Sequence, residues 1–300
     1  MVQKNFALIG AAGYIAPRHM RAVKDLGHRL VCALDPFDSV GIIDSFFPDA
    51  DYFTEPERFD RHLDKLRREK TNKTDYVSIC SPNYLHDAHI RMALRNEAHA
   101  ICEKPVVLNP WNLEALCELE KETGKHIYTI LQLRLHPEIQ KLKKQVEEGP
   151  ANKVYDVDLK YITSRGKWYF FSWKGDIQKS GGIATNIGIH FFDMLSWVFG
   201  RFLTVEVDEN AAHRARGKLF FEKARVNWFL SVDEGDLPAI AAEKALRTYR
   251  SVSIEGNEIE FSGGFTDLHT ESYREILAGR GFRVETARQS VEIAHLIRKA

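Results

Sequence analysis

The fold is indicated most clearly by the run Phe6-Ala-Leu-Ile-Gly10-Ala-Ala-Gly13-Tyr-Ile-Ala-Pro17. Four apolar residues that end in glycine predict a buried strand, and Pro17 suits the first turn of a helix. The glycines therefore lie between a strand and a helix, where backbone N–H groups can bind a pyrophosphate at the helix N-terminus. We expect five residues to form this dinucleotide-binding turn: Gly10, Ala12, Gly13, Tyr14 and Ile15.

This turn departs from the usual three-glycine pattern, because Gly10 or Ala11 takes the first position and Ala16 takes the third. A small side chain suffices at the third position, where helix and strand pack closely. Gly13 is the position at which a Cβ would block the approach of the pyrophosphate.

Asp35 ends the second predicted strand, Arg29–Leu34, where an acid can accept a hydrogen bond from a ribose 2′-hydroxyl. Residues 36–39 include no Arg or Lys, so a 2′-phosphate would meet repulsion and no cation. The sequence therefore predicts NAD as the cofactor and disfavours NADP. The alternative role for Asp35 is that of a helix cap or turn residue.

Strand and helix patterns alternate from residue 6 to residue 131 and predict a doubly wound parallel sheet, the Rossmann arrangement. Such sheets bind ligands at the carboxyl ends of their strands. Seven residues are expected at that edge: Gly13, Asp35, Ser81, Asn83, Glu103, Lys104 and Gln132.

Lys104 follows the fifth predicted strand and lies on the rim of the expected crevice. A partly desolvated amine beside a positive nicotinamide suits proton transfer or carbonyl polarisation near neutral pH. Most lysines lie on the surface, and it is the position at a strand end that favours a functional reading.

A second informative stretch is Ser180-Gly-Gly-Ile-Ala-Thr-Asn186-Ile-Gly188-Ile-His190-Phe-Phe-Asp193. Asn186 is predicted to cap the helix that follows. His190 and Asp193 are three residues apart on one face of that helix, so the carboxylate can fix the tautomer of an imidazole at the floor of a cleft. The alternative is that His190 is a core histidine without a chemical role.

Beyond residue 150 the pattern changes to short alternating segments, which predict a mostly antiparallel sheet. The pattern alone favours a domain boundary at Gly149-Pro150. Ser251–Glu255 and Glu258–Phe261 flank Gly256-Asn257, the expected hairpin turn. The last helices are predicted at Asp267–Ala278 and Val284–Arg298.

The segment Ser164–Lys174 is a candidate wall of the substrate site. Arg165 and Lys174 can pair with phosphates or a carboxylate, while aromatic rings offer flat faces to a sugar or nicotinamide. The alternative is a surface loop with buried aromatics. Residues expected to contact ligand here and in the following stretch are Trp168, Tyr169, Trp173, Ser180, Thr185 and Asn186.

The composition is that of a globular protein of one or two domains, with 300 residues. Lys plus Arg and Asp plus Glu number 42 each, so no net field favours nucleic acid or a membrane surface. No apolar run reaches transmembrane length and no signal-peptide pattern is seen, so we expect a cytoplasmic protein. The four cysteines and twelve histidines show no metal-binding spacing, so no metal is expected.

Several of these motifs together resemble the Gfo/Idh/MocA family of NAD(P)-dependent sugar oxidoreductases. They are the glycine turn, Ser81-Pro82-Asn83 with His86, Glu103-Lys104-Pro105 and Gly188-Ile-His190-Phe-Phe-Asp193. The resemblance covers the whole chain and implies Lys104 and His190 as the catalytic pair. It also implies an NAD-binding domain at residues 1–127. Residues 128–300 would form a substrate-binding and oligomerisation domain with an open-faced, mostly antiparallel sheet. Because the uncovered face must be buried, a homo-tetramer or dimer is expected.

Further motifs are similar to the WlbA/WbpB subgroup of that family, which also agrees with Asn186 where the family commonly has Asp. The resemblance implies NAD-dependent oxidation at C3 of UDP-N-acetylglucosaminuronic acid, in lipopolysaccharide or O-antigen synthesis, with 2-oxoglutarate as a re-oxidant of NADH. The motifs are Gly10–His19, Gln132–Pro137, Arg165–Tyr169, Ser172–Asp176 and Leu268–Tyr273.

The residues expected at the site follow from the motifs and this resemblance together. Catalysis is assigned to Lys104, His190, Asn186 and Asp193, and cofactor binding extends to Ser81, Asn83, His86, Glu103, Lys104, Gln132 and Trp173. Substrate binding is assigned to Tyr14, Lys104, Arg165, Tyr169, Lys174, Ser180, Asn186 and His190. The alternatives are a dehydrogenase of another sugar or inositol and, from a different class, a non-catalytic regulator that binds NAD or a sugar nucleotide.

Overall fold

The computed structural model describes residues 2–69, 72–259 and 267–300, which divide into two compact units. The amino-terminal unit comprises Met1–Val107, Trp111–Ile130 and Asp267–Thr286. The carboxy-terminal unit comprises Leu108–Pro110, Leu131–Thr266 and Ala287–Ala300. The assignment of residues 1–127 to the cofactor, and of 128–300 to the substrate and oligomer, stays a prediction.

A parallel sheet forms the centre of the amino-terminal unit. Its strands are β1 (Asn5–Ile9), β2 (Arg29–Leu34), β3 (Asp51–Phe53), β4 (Tyr76–Ile79), β5 (His99–Cys102) and β6 (Ile127–Thr129). They lie in the order β3-β2-β1-β4-β5-β6, and all neighbours are parallel. The predicted doubly wound sheet is confirmed. Its connectivity reverses between β1 and β4, which is where such sheets take their ligands.

The connecting helices have the amphipathic patterns expected of elements packed on a sheet. They are α1 (Ala16–Asp25), α2 (Pro56–Glu69), α3 (His86–Arg95) and α4 (Pro110–Thr123). Pro17 lies in the first turn of α1, as predicted, where its missing N–H breaks no helical hydrogen bond. Met20 and Val23 of α1 are buried, so this helix is held firmly behind the glycine turn.

The helices that follow in the described chain serve both units. They are α5 (Pro137–Glu148), α6 (Trp168–Phe171), α7 (Ile177–Ser180), α8 (Ile189–Phe199), α9 (Ala239–Glu243), α10 (Leu268–Leu277) and α11 (Arg288–Lys299). A π-helix at Ala184–Gly188 leads into α8, and 3₁₀ turns occupy Asn83–Leu85 and Gln132–Leu135.

Helix α10 returns the chain to the amino-terminal unit, where it packs against α1. Tyr273 of α10 is fully buried, and its ring lies 5.8 Å from that of Phe6 on β1. Near the sheet edge, the backbone N–H of Thr129 donates to the carbonyl of Phe282 at 2.9 Å. The sequence predicted the helix but gave no sign of this return.

A mixed sheet forms the centre of the carboxy-terminal unit. Its strands are β7 (Tyr155–Thr163), β8 (Phe202–Asn210), β9 (Arg214–Phe221), β10 (Ala224–Ser231), β11 (Thr248–Ile254) and β12 (Asn257–Glu258). The order is β12-β11-β7-β10-β9-β8, in which β7 and β10 are parallel and the other pairs antiparallel. The predicted mostly antiparallel sheet is confirmed.

The two faces of this sheet differ in chemistry. On the helix-covered face, the Trp228 ring of β10 meets the Phe192 ring of α8 at 5.9 Å, and both are buried. The opposite face carries exposed charges, such as Arg216 and Lys218 on β9. This alternation is what a sheet with one uncovered face requires.

The hairpin between β11 and β12 lies one residue earlier than predicted. Ile254 pairs with Asn257, so Glu255 and Gly256 are the central turn residues. Both have positive φ, 51° and 77°, as a type I′ turn demands. The expected turn at Gly256-Asn257 is therefore wrong, and the end of the strand predicted at Glu258–Phe261 lies outside the described residues.

In the part of the chain that the structure describes, no helix has both the length and the apolar character needed to cross a lipid bilayer.

Candidate functional site

The glycine turn joins β1 to α1 at the carboxyl edge of the parallel sheet. Gly10 has φ +86°, and a Cβ there would lie 2.6 Å from the carbonyl carbon of Cys80 at the end of β4. Gly10 therefore serves as the first glycine of the motif, in preference to Ala11. Gly13 donates its N–H to the Gly10 carbonyl at 3.0 Å, which closes the turn.

The first turn of α1 is suited to an anion. It contains no acidic residue and no side-chain cap bonds to its N–H groups in the described residues. The N–H groups of Ala16 and Arg18 bond the carbonyls of Gly13 and Ile15 at 3.1 and 3.0 Å, so it is the positive end of the helix dipole that favours a phosphate here. Tyr14 is 89% exposed, and Ile15 precedes the helix as its N-cap residue. The turn thus fits the pyrophosphate of a dinucleotide.

Asp35 lies beside the same turn and is buried. Its Oδ2 accepts the backbone N–H of Ala12 at 2.9 Å, and its Oδ1 accepts that of Phe37 at 3.0 Å. Asp35 is therefore a turn residue, as the alternative reading held. A carboxylate has about four acceptor positions, so these two bonds leave capacity for a ribose hydroxyl.

The loops after β4 and β5 are joined by His86, which is buried. Its Nδ1 lies 2.6 Å from the Pro105 carbonyl and its Nε2 lies 2.8 Å from the Ser81 carbonyl. Burial lowers the pKa of His86, and these two hydrogen bonds partly offset that effect. The Ser81 hydroxyl bonds Nδ1 of His89 at 2.8 Å. The side chains of Ser81 and His86 thus hold the loops together, and their contact with the cofactor stays a prediction.

Glu103 and Lys104 follow β5 directly. Glu103 is buried, and its Oε1 lies 3.0 Å from Nε2 of both His19 and His269. Its Oε2 accepts the backbone N–H of Lys104 at 3.3 Å. The sequence showed no metal-like spacing of histidines, yet the fold brings two of them to one carboxylate. Asn83, also buried, begins the 3₁₀ turn after β4.

In the carboxy-terminal unit, the predicted N-cap role of Asn186 is wrong. Asn186 lies inside the π-helix, and Gly188 is the N-cap residue of α8. The reason is that helical structure begins at Gly182, upstream of Asn186. The Asn186 amide instead donates to the Tyr169 hydroxyl at 2.9 Å. Single π turns often mark functional sites, and His190 follows this one in the first turn of α8, half-buried.

Asp193 is held by a guanidinium, a partner that the sequence did not suggest. Arg134 donates from Nε and Nη2 to the two carboxylate oxygens at 2.9 and 2.6 Å, and both side chains are buried. Burial raises the pKa of Asp193, and Arg134 partly opposes the rise. Both oxygens of Asp193 accept hydrogen bonds from Arg134, which therefore competes with His190 for this carboxylate. Control of the His190 tautomer by Asp193 stays a prediction.

Two hydroxyls expected to meet the sugar lie in the interior. Ser180 is fully buried, and its Oγ donates to the Asp176 carbonyl at 2.9 Å and accepts the Gly182 N–H at 3.0 Å. Contact of Ser180 with substrate would require this turn to open. Thr185 is also buried, and its Oγ1 finds no hydrogen-bond partner among the described residues.

The aromatic segment before α7 is divided between core and surface. Tyr169 is buried, as the alternative reading held, and burial raises its pKa. Phe171 is 90% exposed. The Lys174 amine lies 4.2 Å from the centre of the Trp173 ring, and Arg165 is exposed. At Lys174 and Trp173 a cation therefore lies against a ring, a combination that an anionic sugar could use.

Gln132 begins the 3₁₀ turn after β6, at the first residues of the carboxy-terminal unit. Its Oε1 is buried and has no hydrogen-bond partner among the described residues. An acceptor left in this state costs free energy unless a ligand or water donates to it. This is an observation in favour of a ligand contact at Gln132.

Residues 4–130 match the family model of the Gfo/Idh/MocA oxidoreductases for an NAD-binding Rossmann fold, and residues 143–258 match that for the C-terminal α/β domain. The chain belongs to the Gfo/Idh/MocA oxidoreductase family. The prediction of the family and its two-domain architecture is confirmed, and the NAD-binding character of the amino-terminal match confirms the predicted cofactor.

Two solved structures are similar over nearly the whole chain. Both are of the WlbA (WbpB) dehydrogenase from Thermus thermophilus, and each match covers 99% of this chain and 95% of that one. The complex with NAD and α-ketoglutarate is 52% identical with a TM-score of 0.95. The complex with NAD and UDP-GlcNAcA is 51% identical with a TM-score of 0.94.

Curated family members match over shorter stretches. D-glucoside 3-dehydrogenase of Escherichia coli K12 is 33% identical over 130 residues, which are 43% of this chain and 36% of that protein. The chain spans between 34% and 54% of the length of the curated relatives that it matches.

Sequence reasoning missed four residues of the site region: His19, His269, Tyr273 and Arg134. The motifs that contain them were visible, but no role could be assigned to them. His19 and His269 reach Glu103 across 84 and 166 residues, and no local pattern indicates such a meeting.

Proposed function

We propose that this chain oxidises the C3 hydroxyl of UDP-N-acetylglucosaminuronic acid to the 3-keto sugar, with NAD as the hydride acceptor. The observation that carries the proposal is the 52% identity, over 99% of the chain, to a WlbA dehydrogenase that binds NAD. The same relative binds UDP-GlcNAcA in its second complex. Family membership supplies the class of reaction, and this similarity supplies the substrate.

The carboxy-terminal unit offers groups for an anionic sugar nucleotide. Arg165 and Lys174 carry the positive charges that a uronic acid carboxylate or a diphosphate requires. Trp173, held against Lys174 at 4.2 Å, provides a flat face for a ring. A uronic acid offers both cations an opposite charge that a neutral hexose or inositol lacks, which favours a uronic acid over the alternative substrates.

NAD, when bound, accepts the hydride from C3, and the chain must remove the hydroxyl proton. We assign this proton transfer to Lys104 and His190. One of them takes the proton and the other stabilises the developing oxyanion. Lys104 is well placed for a fixed role, because the backbone on both of its sides is anchored by Glu103 and His86. Asn186 and Asp193 orient the segment that carries His190, through Tyr169 and Arg134.

We further propose that 2-oxoglutarate re-oxidises NADH, because the Thermus relative binds α-ketoglutarate with NAD. The product would serve lipopolysaccharide or O-antigen synthesis in the cytoplasm. We also propose a homo-tetramer or dimer through the open face of the second sheet, in which the exposed charges of β9, such as Arg216 and Lys218, would pair with opposite charges of the partner.

The test is incubation of the purified protein with NAD and UDP-N-acetylglucosaminuronic acid, in parallel with neutral UDP-N-acetylglucosamine. We expect NADH absorbance and a 3-keto product by mass spectrometry only with the acid. Lys104→Ala and His190→Asn should abolish turnover while NAD still binds. Equal activity on the neutral sugar, or normal kcat in either variant, would refute the proposal.

A further inference from the structure

A buried series of hydrogen bonds, which we call the Glu103 cluster, joins β4, α1, α10 and the residue after β5 in the amino-terminal unit. The Ser78 hydroxyl lies 2.5 Å from the Tyr273 hydroxyl, which lies 2.8 Å from Nδ1 of His19. Nε2 of His19 and of His269 both lie 3.0 Å from Oε1 of Glu103. All five residues are at most 8% exposed, so little water reaches these bonds.

The proton positions in the cluster follow from the chemistry of its members. An ionised carboxylate only accepts, so both imidazoles donate from Nε2 to Glu103. Burial lowers the pKa of His19 against the opposing effect of Glu103, which favours the neutral ring, and Nδ1 of a neutral ring that donates from Nε2 accepts from the Tyr273 hydroxyl. The Tyr273 oxygen then accepts from Ser78. With a neutral His19 and a charged Glu103, each hydrogen bond of the cluster has one donor and one acceptor.

Glu103 is kept ionised by these donors. Burial alone would raise its pKa, but the hydrogen bonds from His19 and His269 more than offset this and hold the pKa well below the usual range. Oε2 of the same carboxylate accepts the Lys104 N–H at 3.3 Å. On the other side of Lys104, His86 bonds the carbonyl of Pro105. The backbone around Lys104 is thus held from both directions.

A purely structural role gives a poor account of this arrangement. Burying a carboxylate costs several kcal/mol, and well-packed apolar residues often serve stability as well as or better than a buried ionic cluster. The nitrogen–oxygen distances of 3.0 Å are those of hydrogen bonds, which accounts for the His19, Glu103 and His269 group without a metal ion.

We propose that His19, His269 and Tyr273 are positioning residues for Lys104, acting through the carboxylate of Glu103. The proposal rests on the proposed function for the role of Lys104, but its geometric content concerns the amino-terminal unit alone. It also explains why the chain brings α10 back to the first sheet: this helix supplies the second imidazole and the phenol that direct the hydrogen bonds.

The decisive comparison is between His269→Gln and His269→Asn. The Gln amide nitrogen can reach the place of Nε2 and donate to Glu103, whereas the shorter Asn cannot, and both changes remove the ring. We expect kcat to fall by less than about threefold in the Gln variant and by about 30-fold or more in the Asn variant, with similar melting temperatures. This is the range for loss of a hydrogen bond to a charged group.

Tyr273→Phe removes only the hydroxyl that directs His19, and Tyr76→Phe, in the same aromatic cluster around Phe6, is its matched control. We expect kcat to fall about tenfold in the first variant and to stay unchanged in the second, with KM for the sugar nucleotide altered less than kcat. Equal effects of the two changes would overturn the assignment of Tyr273.

Amide hydrogen exchange at Lys104 tests the cluster without any substrate. We expect exchange at least about tenfold faster in His269→Asn than in His269→Gln, since the bond to Glu103 protects this N–H. If the wild type turns over no sugar nucleotide, the proposed function fails and the exchange result alone decides the present inference. Equal exchange, equal kcat in the two variants, or a stoichiometric metal ion in the wild type would each overturn it.

Discussion

Replacement of Gly10 by alanine tests whether the glycine turn is built as described. The residue has φ +86°, which costs an alanine about 1–2 kcal/mol. Its new Cβ would also lie 2.6–2.7 Å from three backbone atoms of Cys80 and Ser81, which cannot rotate away. Overpacking of this kind costs about 1–3 kcal/mol. We therefore expect Gly10→Ala to lower the free energy of unfolding by about 2–5 kcal/mol.

Substitutions at two other glycines of the same unit separate the cost of the left-handed backbone from the cost of the steric clash. Gly27 has φ +76° with open space around the new Cβ, so Gly27→Ala should cost only the backbone part, about 1–2 kcal/mol. Gly13 has no left-handed backbone, and its Cβ would lie 3.0 Å from the Gly10 carbonyl oxygen. Gly13→Ala should change stability by less than about 1 kcal/mol.

For NAD affinity we expect the opposite order of Gly13 and Gly27, because the change at Gly13 should have the larger effect. The Cβ of Gly13→Ala would face the pyrophosphate, so the Kd for NAD should rise at least about tenfold, a loss of about 1.4 kcal/mol. Gly27→Ala should leave the Kd unchanged. Urea denaturation followed by circular dichroism gives the stabilities, and titration calorimetry gives the Kd. The reasoning is refuted if Gly10→Ala is no less stable than Gly27→Ala, or if Gly13→Ala binds NAD normally.

Three further predictions concern stability and turnover. Burial lowers the pKa of His89 from 6.5 to about 4, so the unfolded state binds the proton more tightly, and stability is lost as pH falls between these values. Between about pH 7.5 and 5.5 this loss is about 1.4 kcal/mol, and urea titrations of His89→Gln at both pH values should lack it. Asp193→Ala deprives the buried Arg134 of its carboxylate and should cost about 3–5 kcal/mol by the same assay; a loss under about 1 kcal/mol would contradict the pairing. Tyr169→Phe removes the hydroxyl that Asn186 contacts and should lower kcat/KM about tenfold, measured by NADH formation, with NAD affinity unchanged.

The sequence predicted those features that depend on neighbours along the chain. Gly10 precedes a helix that begins within a few residues, and Pro17 marks that helix start, so the turn and its role could be read locally. The alternating burial of β9 and β10 likewise appears as a period of two in the residues themselves.

Two predictions, the helix cap at Asn186 and the turn at Gly256-Asn257, were wrong because the residue type favoured one local structure and the surrounding backbone imposed another. Asn186 is a good capping residue, but the helix has already begun upstream, and a π turn carries no sequence signal comparable to a cap. Gly256-Asn257 reverses the usual order of an Asn-Gly turn, and the register instead places Glu255 at φ 51°.

The Glu103 cluster and the Arg134–Asp193 pair could not be predicted, because each joins residues far apart in the chain. The spacing paired Asp193 with His190, three residues away, and gave no indication of Arg134, which is 59 residues distant. Hydrogen-bond partners of buried charges are chosen by the fold, and local spacing gives them little guidance.

The return of α10 limits how the nucleotide-binding half can be transplanted. A gene fragment ending at residue 130 would encode every strand of the parallel sheet. It would lack the ring of Tyr273 beside Phe6, and with it the two hydrogen-bond donors of α10, the Tyr273 hydroxyl and the His269 imidazole. Chimaeras that exchange cofactor modules between related enzymes must therefore carry residues 267–286 along with the first 130. A chimaera made with a single crossover would combine the amino-terminal sheet of one enzyme with the α10 segment of the other.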